Sequence, residues 1–171
     1  MNKQEFMYFV SAIKTYYPRE QILPNEQAVA LWYEQLRDIE YETAKAILNK
    51  WVATNKWSPT IADIREGYAE STISIEDWTC GWQSVMTAVR KYGSYHPKEA
   101  VESLTGITRK CVESIGFVNI CMNEENRFKR DFKDLYETYS IRARQDAQIS
   151  ATIKQQILGV SKQLAIGDEH G

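Results

Sequence analysis

The side chains suited to nucleophilic, metal or acid–base chemistry are few in this sequence and poorly spaced for it. Two histidines, His96 and His170, stand far apart, and the three cysteines, Cys80, Cys111 and Cys121, form no C-x-x-C pair. No His/Cys cluster therefore has the spacing of a structural zinc site, and the odd cysteine count points to a reducing compartment. His96 could approach Cys111 in space, but a capping or surface histidine is the plainer reading. None of the eight glycines begins a G-x-x-x-x-G-K-[ST] run, whose backbone N–H groups and lysine would cradle a nucleotide's phosphates. G-x-G-x-x-G, G-x-S-x-G and H-E-x-x-H are missing as well. The carboxylates fall mostly on solvated helix faces. The expectation is a protein that is not an enzyme and needs no metal or cofactor.

Two stretches remain that could bind something. Arg127-Phe-Lys-Arg-Asp-Phe-Lys133, continued by Arg142 and Arg144, interleaves basic and aromatic residues as a strand-binding surface does, with Arg127, Lys129, Arg130 and Lys133 as the candidate phosphate contacts. Phe128 and Phe132, however, lie on the apolar stripe of the same helix. The cations are left beside Asp131, Asp134 and Glu137, the pattern of an exposed, ion-paired face, so direct DNA binding is not favoured. The second stretch lies at the C-terminal end. Ile149, Ile153, Ile157, Val160 and Leu164 recur at helical spacing, the pattern of an amphipathic helix laid into a partner's groove. Gly159 interrupts this segment and the chain then runs out in Gly167-Asp-Glu-His-Gly171, so the segment should be poorly ordered in isolation.

The elements that must position these surfaces read as helices throughout. Phe6, Phe9, Val10 and Ile13 make a first stripe that ends near Tyr17, because Pro18 disfavours helix in the residue before it. Asn25 caps a second helix with Val29, Trp32, Tyr33 and Leu36 on its inner face. A third runs from about 41 to 55 with Ala44, Ile47, Leu48 and Trp51 on one side. Trp57-Ser-Pro59 then forms a short corner into a fourth helix, opened by a capping box of Thr60 and Asp63 and carrying Ile61, Ile64 and Tyr68 inward. Trp51 and Trp57 are both expected in the core, since large apolar side chains are usually buried, with a binding role for Trp57 as the lesser alternative.

A small, polar stretch from Gly67 to Ser74 separates this bundle from the C-terminal part of the chain. Ser74 with Asp77 reads as a second capping box and Ile73 with Trp78 as a hydrophobic staple. Trp78, Trp82, Val85, Val89 and Tyr92 then form a seam that must pack on other helices. Gly106 reads as a left-handed C-cap to a short helix begun at His96-Pro97, and Ile107, Cys111, Val112 and Ile115 make a further stripe closed by Gly116. Phe128, Phe132, Leu135, Tyr136 and Tyr139 line a longer helix. With no alternating strands, the fold class is all-α: a four-helix unit over residues 1–70, a second helical unit over 74–146, and an amphipathic tail over 147–171.

Composition is that of an ordinary globular chain of 171 residues, 43% hydrophobic and 26% charged. A net charge of −2 exerts no global pull toward nucleic acid or an anionic membrane, although residues 90–144 carry 11 basic against 8 acidic residues, net +3. No segment approaches the apolar length needed to span a bilayer, and the polar start shows no secretory signal, so the expected location is the cytoplasm.

Lys14-Thr-Tyr-Tyr-Pro18-Arg, Leu31-Trp-Tyr-Glu-Gln-Leu36, Asn49-Lys-Trp51 and Trp57-Ser-Pro-Thr-Ile61-Ala-Asp-Ile64-Arg65 together give residues 1–70 a resemblance to the phage-encoded helicase loader and inhibitor family. The resemblance implies a small ATP-independent protein with a folded helical N-terminal domain and a flexible C-terminal region that contacts the DnaB-type replicative helicase of host or phage. A replication initiator protein is a further partner it suggests. The additional unit over 74–146 departs from the shorter members of that family. Two other readings stand beside it: a DNA-binding replisome organiser, or a phage inhibitor of another host protein such as a defence nuclease.

Overall fold

The computed structural model describes the backbone of residues 1–123 and 125–167, and side chains over 1–123 and 127–160. Among these residues there are ten helices and no strand. The all-α class is thus found as expected. By contact, the chain divides into one compact unit of Met1–Ile73 together with Arg144–Gly171, and another of Ser74–Ala143.

The first unit is built from α1 (Lys3–Tyr16), α2 (Glu26–Leu36), α3 (Tyr41–Thr54) and α4 (Ile61–Thr72). Each start has a local cause. Asn2 and Glu5 form a reciprocal capping box on α1, Asn25 accepts the N–H of Ala28 at 2.8 Å to cap α2, and Thr60 and Asp63 exchange hydrogen bonds at the start of α4. Phe6, Phe9, Ile13, Leu36, Leu48 and Ile64 are almost completely buried where the four helices meet. α2 sits less deeply than its stripe suggests, with Leu36 buried and Val29, Trp32 and Tyr33 only half-buried against the core. α3 and α4 approach closely because Gly67 has no side chain; a Cβ there would lie 2.5 Å from Ile47 Cγ2.

One polar link runs through this packing. The Arg65 guanidinium, 4% exposed, donates to Asp38 Oδ2 at 2.9 Å and Asp38 Oδ1 at 2.5 Å, and also to the carbonyl of Gln35. It therefore fastens α4 to the end of α2 in a two-pronged pair of the kind a planar guanidinium favours.

Trp57 corrects the sequence reading. It is 73% exposed, whereas Trp51 is half-buried on the core. At the corner it is Pro59 that is almost completely buried. Ser58 is tied down on the side of Glu20, with its N–H 3.2 Å from Oε1, and the indole before it is left outside.

The second unit contains α5 (Trp78–Tyr92), α6 (Pro97–Glu102), α7 (Gly106–Ile115), α8 (Phe117–Met122) and the greater part of α9 (Glu125–Gln148). Trp82, Val85, Cys111, Val112, Phe117 and Phe132 form its buried centre. The rings of Trp82 and Phe132 lie 5.2 Å apart and tilted. Gly81 allows this packing, since a Cβ there would meet Thr108 Oγ1 at 2.7 Å and Tyr136 Cε2 at 2.8 Å.

Three details differ from the sequence expectation. The cap of α5 is Asp77 itself, which accepts the Thr79 N–H at 2.9 Å, so Ser74 lies three residues before the cap and closes no box. Ile73 instead caps the end of α4, while Ile75 and Trp78 each pack against the second core. Gly106 does take a positive φ of 55°, but as the first residue of α7, α6 having ended at Ser103.

Beyond α9 the chain turns at Ile149 into α10 (Ala151–Gly167). Ser150, 4% exposed, accepts the Ile153 N–H at 3.3 Å, and Lys154 reaches back to Asp146 at 2.6 Å.

Candidate functional site

The C-terminal stripe is displayed on α10 and the turn before it. Ile149 is 39% exposed, Ile153 is half-buried, and Ile157 and Val160 are exposed together with Leu158. Leu164 falls outside the residues whose side chains are described. The Ser150 cap fixes where the helix begins, so Ile153, Ile157 and Val160 follow at spacings of four and three along it. A Cβ on Gly159 would meet nothing within 4 Å, so this glycine is not required by close packing. A helix that leaves aliphatic side chains in water is suited to a complementary apolar groove.

The basic run of α9 is arranged differently. Arg127 lies 5.6 Å from the Phe128 ring and 3.5 Å from Asn123 Oδ1. Lys133 is half-buried, 3.7 Å from Glu137 and 5.6 Å from the Trp78 ring. It also faces Asp77. The Asp77 carboxyl is held below the usual carboxylate range first by the Thr79 hydroxyl, then by the Thr79 N–H, with a smaller contribution from Lys133. Lys129 is half-buried and Arg130 exposed, with exposed Asp131 and Asp134 beside them. The four cations do not line up as one open track, because Lys133 is turned to the start of α5.

The chemistry-bearing residues of the second unit are likewise separated by environment. Burial pushes the Cys111 thiol up to about 11 and raises Cys121 as well, while Cys80 is exposed. His96 stands exposed, 3.5 Å from Glu99, as a surface histidine at the start of α6. Among the described residues no group of three or more His, Cys, Asp or Glu side chains could hold a metal ion. No helix among them is long and apolar enough to cross a membrane.

Sequence reasoning treated the Trp57 corner chiefly as core, yet the structure finds there the most exposed tryptophan side chain in the first unit. Trp51 Nε1 donates to the Trp57 carbonyl at 2.9 Å, and the Ser58 N–H and hydroxyl both donate to Glu20. Tyr17 Oη adds a longer bond to the Asn55 carbonyl at 3.4 Å. The signal available in the sequence was position: Trp57 lies beyond the last turn of α3 and outside its stripe.

These features define a two-unit all-α protein whose distinctive surfaces are apolar and aromatic. Compared with known families, residues 1–65 match the one described as the N-terminal domain of a phage helicase loader/inhibitor. The match runs from α1 through the first turn of α4 and ends before the second unit begins. No curated protein and no solved structure matches the chain.

Proposed function

We propose that this chain is a DNA replication protein of a phage, binding the DnaB-type replicative helicase of the bacterial host cytoplasm and acting without ATP as its loader or inhibitor. The observation that carries the reading is the helicase loader/inhibitor match over residues 1–65, which covers α1 to α3 and the first turn of α4, the helices that share the first core. The protein is not itself an enzyme on this reading. It works by differential affinity, holding one conformation of the helicase ring against its alternatives. Shifting such an equilibrium from one extreme to the other requires roughly 10⁴-fold tighter binding to the favoured state.

The principal contact is the stripe Ile149, Ile153, Ile157, Val160 and Leu164. Covering the part of these aliphatic side chains still in water, roughly half of each described one, is the favourable term of such a contact. The motion lost on association offsets part of that gain, which leaves a moderate and reversible affinity. A loader that must later be displaced, by DNA or by an initiator protein, needs that reversibility.

Size-exclusion chromatography of the full chain with the purified host helicase, with and without ATP, tests the reading. Co-elution in the absence of nucleotide is expected, and it should be lost on deleting residues 149–171 with little change in thermal unfolding. Binding to DNA alone would favour the replisome-organiser reading instead.

A further inference from the structure

We infer that the Trp57 corner of the first unit is a second, pre-shaped docking surface, one that receives an apolar side chain flanked by carboxylates on the partner protein. Trp57 is 73% exposed, yet the backbone around it is fastened on both sides. Its own carbonyl is held by Trp51 Nε1 at 2.9 Å, the next residue is tied to Glu20 through both N–H and hydroxyl, and Pro59 behind it is buried. The exposure therefore comes from a rigid corner. An aromatic ring presented on a fixed backbone loses little conformational freedom when a partner covers it, which is why tryptophan dominates the centres of protein interfaces.

Charge indicates what kind of partner fits. The Glu20–Ser58 link brings Arg19, next to Glu20, to the same corner as Lys56, next to Trp57. Both cations are exposed, and neither is among the ion pairs of the described residues. Glu20 itself accepts from Ser58 and keeps its charge. Lys50, further back on α3, is paired with Glu70 at 2.9 Å. The two segments joined by this link, 17–20 and 55–59, thus carry Arg19 and Lys56 against Glu20, a net positive charge complementary to carboxylates around an apolar anchor. A single nucleic-acid strand would also use rings and cations, but it needs successive stacking positions along a basic groove. One exposed indole on a short, net-positive corner makes a point anchor.

The identity of the partner rests on the helicase reading, so the test separates the two. The affinity of the full-length chain for purified host helicase is measured by calorimetry for the wild type, Trp57→Ala, and the double variant Arg19→Glu/Lys56→Glu, alongside thermal unfolding of each. Trp57→Ala should weaken binding by about thirtyfold, as an interface hot spot does, while unfolding at the wild-type temperature. The double variant should weaken it too, through side chains whose exposure makes loss of fold a minor concern. Wild-type binding with both variants equal to it overturns the surface and leaves the helicase reading standing. No binding by the wild type overturns both. The same proteins titrated with an oligothymidylate provide the counter-test: a Trp57-dependent complex with the oligonucleotide, without a Trp57-dependent complex with the helicase, overturns the assignment to a protein partner.

Discussion

Trp51 donates its indole N–H to the carbonyl of Trp57 across 2.9 Å, so one tryptophan of the corner holds the other in place. The two side chains of the same type do different work six residues apart. Trp51 packs on the helical core and commits its polar atom to the backbone of the turn, while Trp57 is carried outward by that turn.

The difference should appear directly in stability. Trp51→Ala removes half-buried packing and the corner's hydrogen bond and should cost about 2 kcal/mol, less than the roughly 3 to 5 of a fully buried aromatic. Trp57→Ala should lie within about 0.5 kcal/mol of the wild type, as surface substitutions do. Denaturant unfolding of the two variants makes the comparison, and a large loss for Trp57→Ala would return that indole to the core.

Asp38 and Arg65 should behave as a buried pair. Asp38→Ala leaves a guanidinium that is 4% exposed without its carboxylate and is expected to cost about 3 kcal/mol. Replacing both partners, as Asp38→Ala with Arg65→Met, should recover part of that loss, because the stranded charge is what destabilises the fold. A double variant no more stable than Asp38→Ala alone would contradict this account of the link.

Thiol chemistry reports on the second core. Cys80 should react with a thiol reagent at once and Cys111 only on unfolding. Burial raises the Cys111 pKa from 9.0 to about 11, so the folded state holds its proton more tightly than the unfolded chain. The resulting stability is complete below pH 9.0 and is lost as the pH climbs toward about 11. Denaturation midpoints followed across that window should therefore fall more steeply for the wild type than for Cys111→Ala; parallel curves would mean that the thiol is not buried in solution.

Much of this architecture was legible because its causes are local. The Thr60–Asp63 box, the Asn25 cap and the stop at Pro18 each involve residues within three or four positions of one another, and each appears where the pattern puts it. The start of α5 was misjudged because Ser74 and Asp77 offer competing caps three residues apart, and only packing chooses between them. Trp57 and Arg65 were unreadable for a different reason. Their surroundings depend on Glu20–Ser58, separated by 38 residues, and Asp38–Arg65, separated by 27, and such pairings leave no trace in local spacing.

The basic residues of α9 give an electrostatic prediction. With Lys133 turned toward Glu137 and Trp78, the full chain should show no salt-sensitive complex with duplex DNA at micromolar concentration. Were such a complex found by fluorescence anisotropy, neutralising Lys129, Arg130 and Lys133 together should reduce its salt slope by roughly 0.7 to 0.9 for each phosphate no longer bound. That pair of results would move the function toward a DNA-binding organiser.

The central claim is that this chain grips a replicative helicase through binding energy alone, and isothermal titration of the full-length protein into the purified host helicase tests it most directly. Saturable binding without nucleotide, with an affinity that changes when the ring is loaded with a non-hydrolysable ATP analogue, is the predicted result, since a loader or inhibitor must discriminate between ring conformations. Absence of binding in every nucleotide state would contradict it.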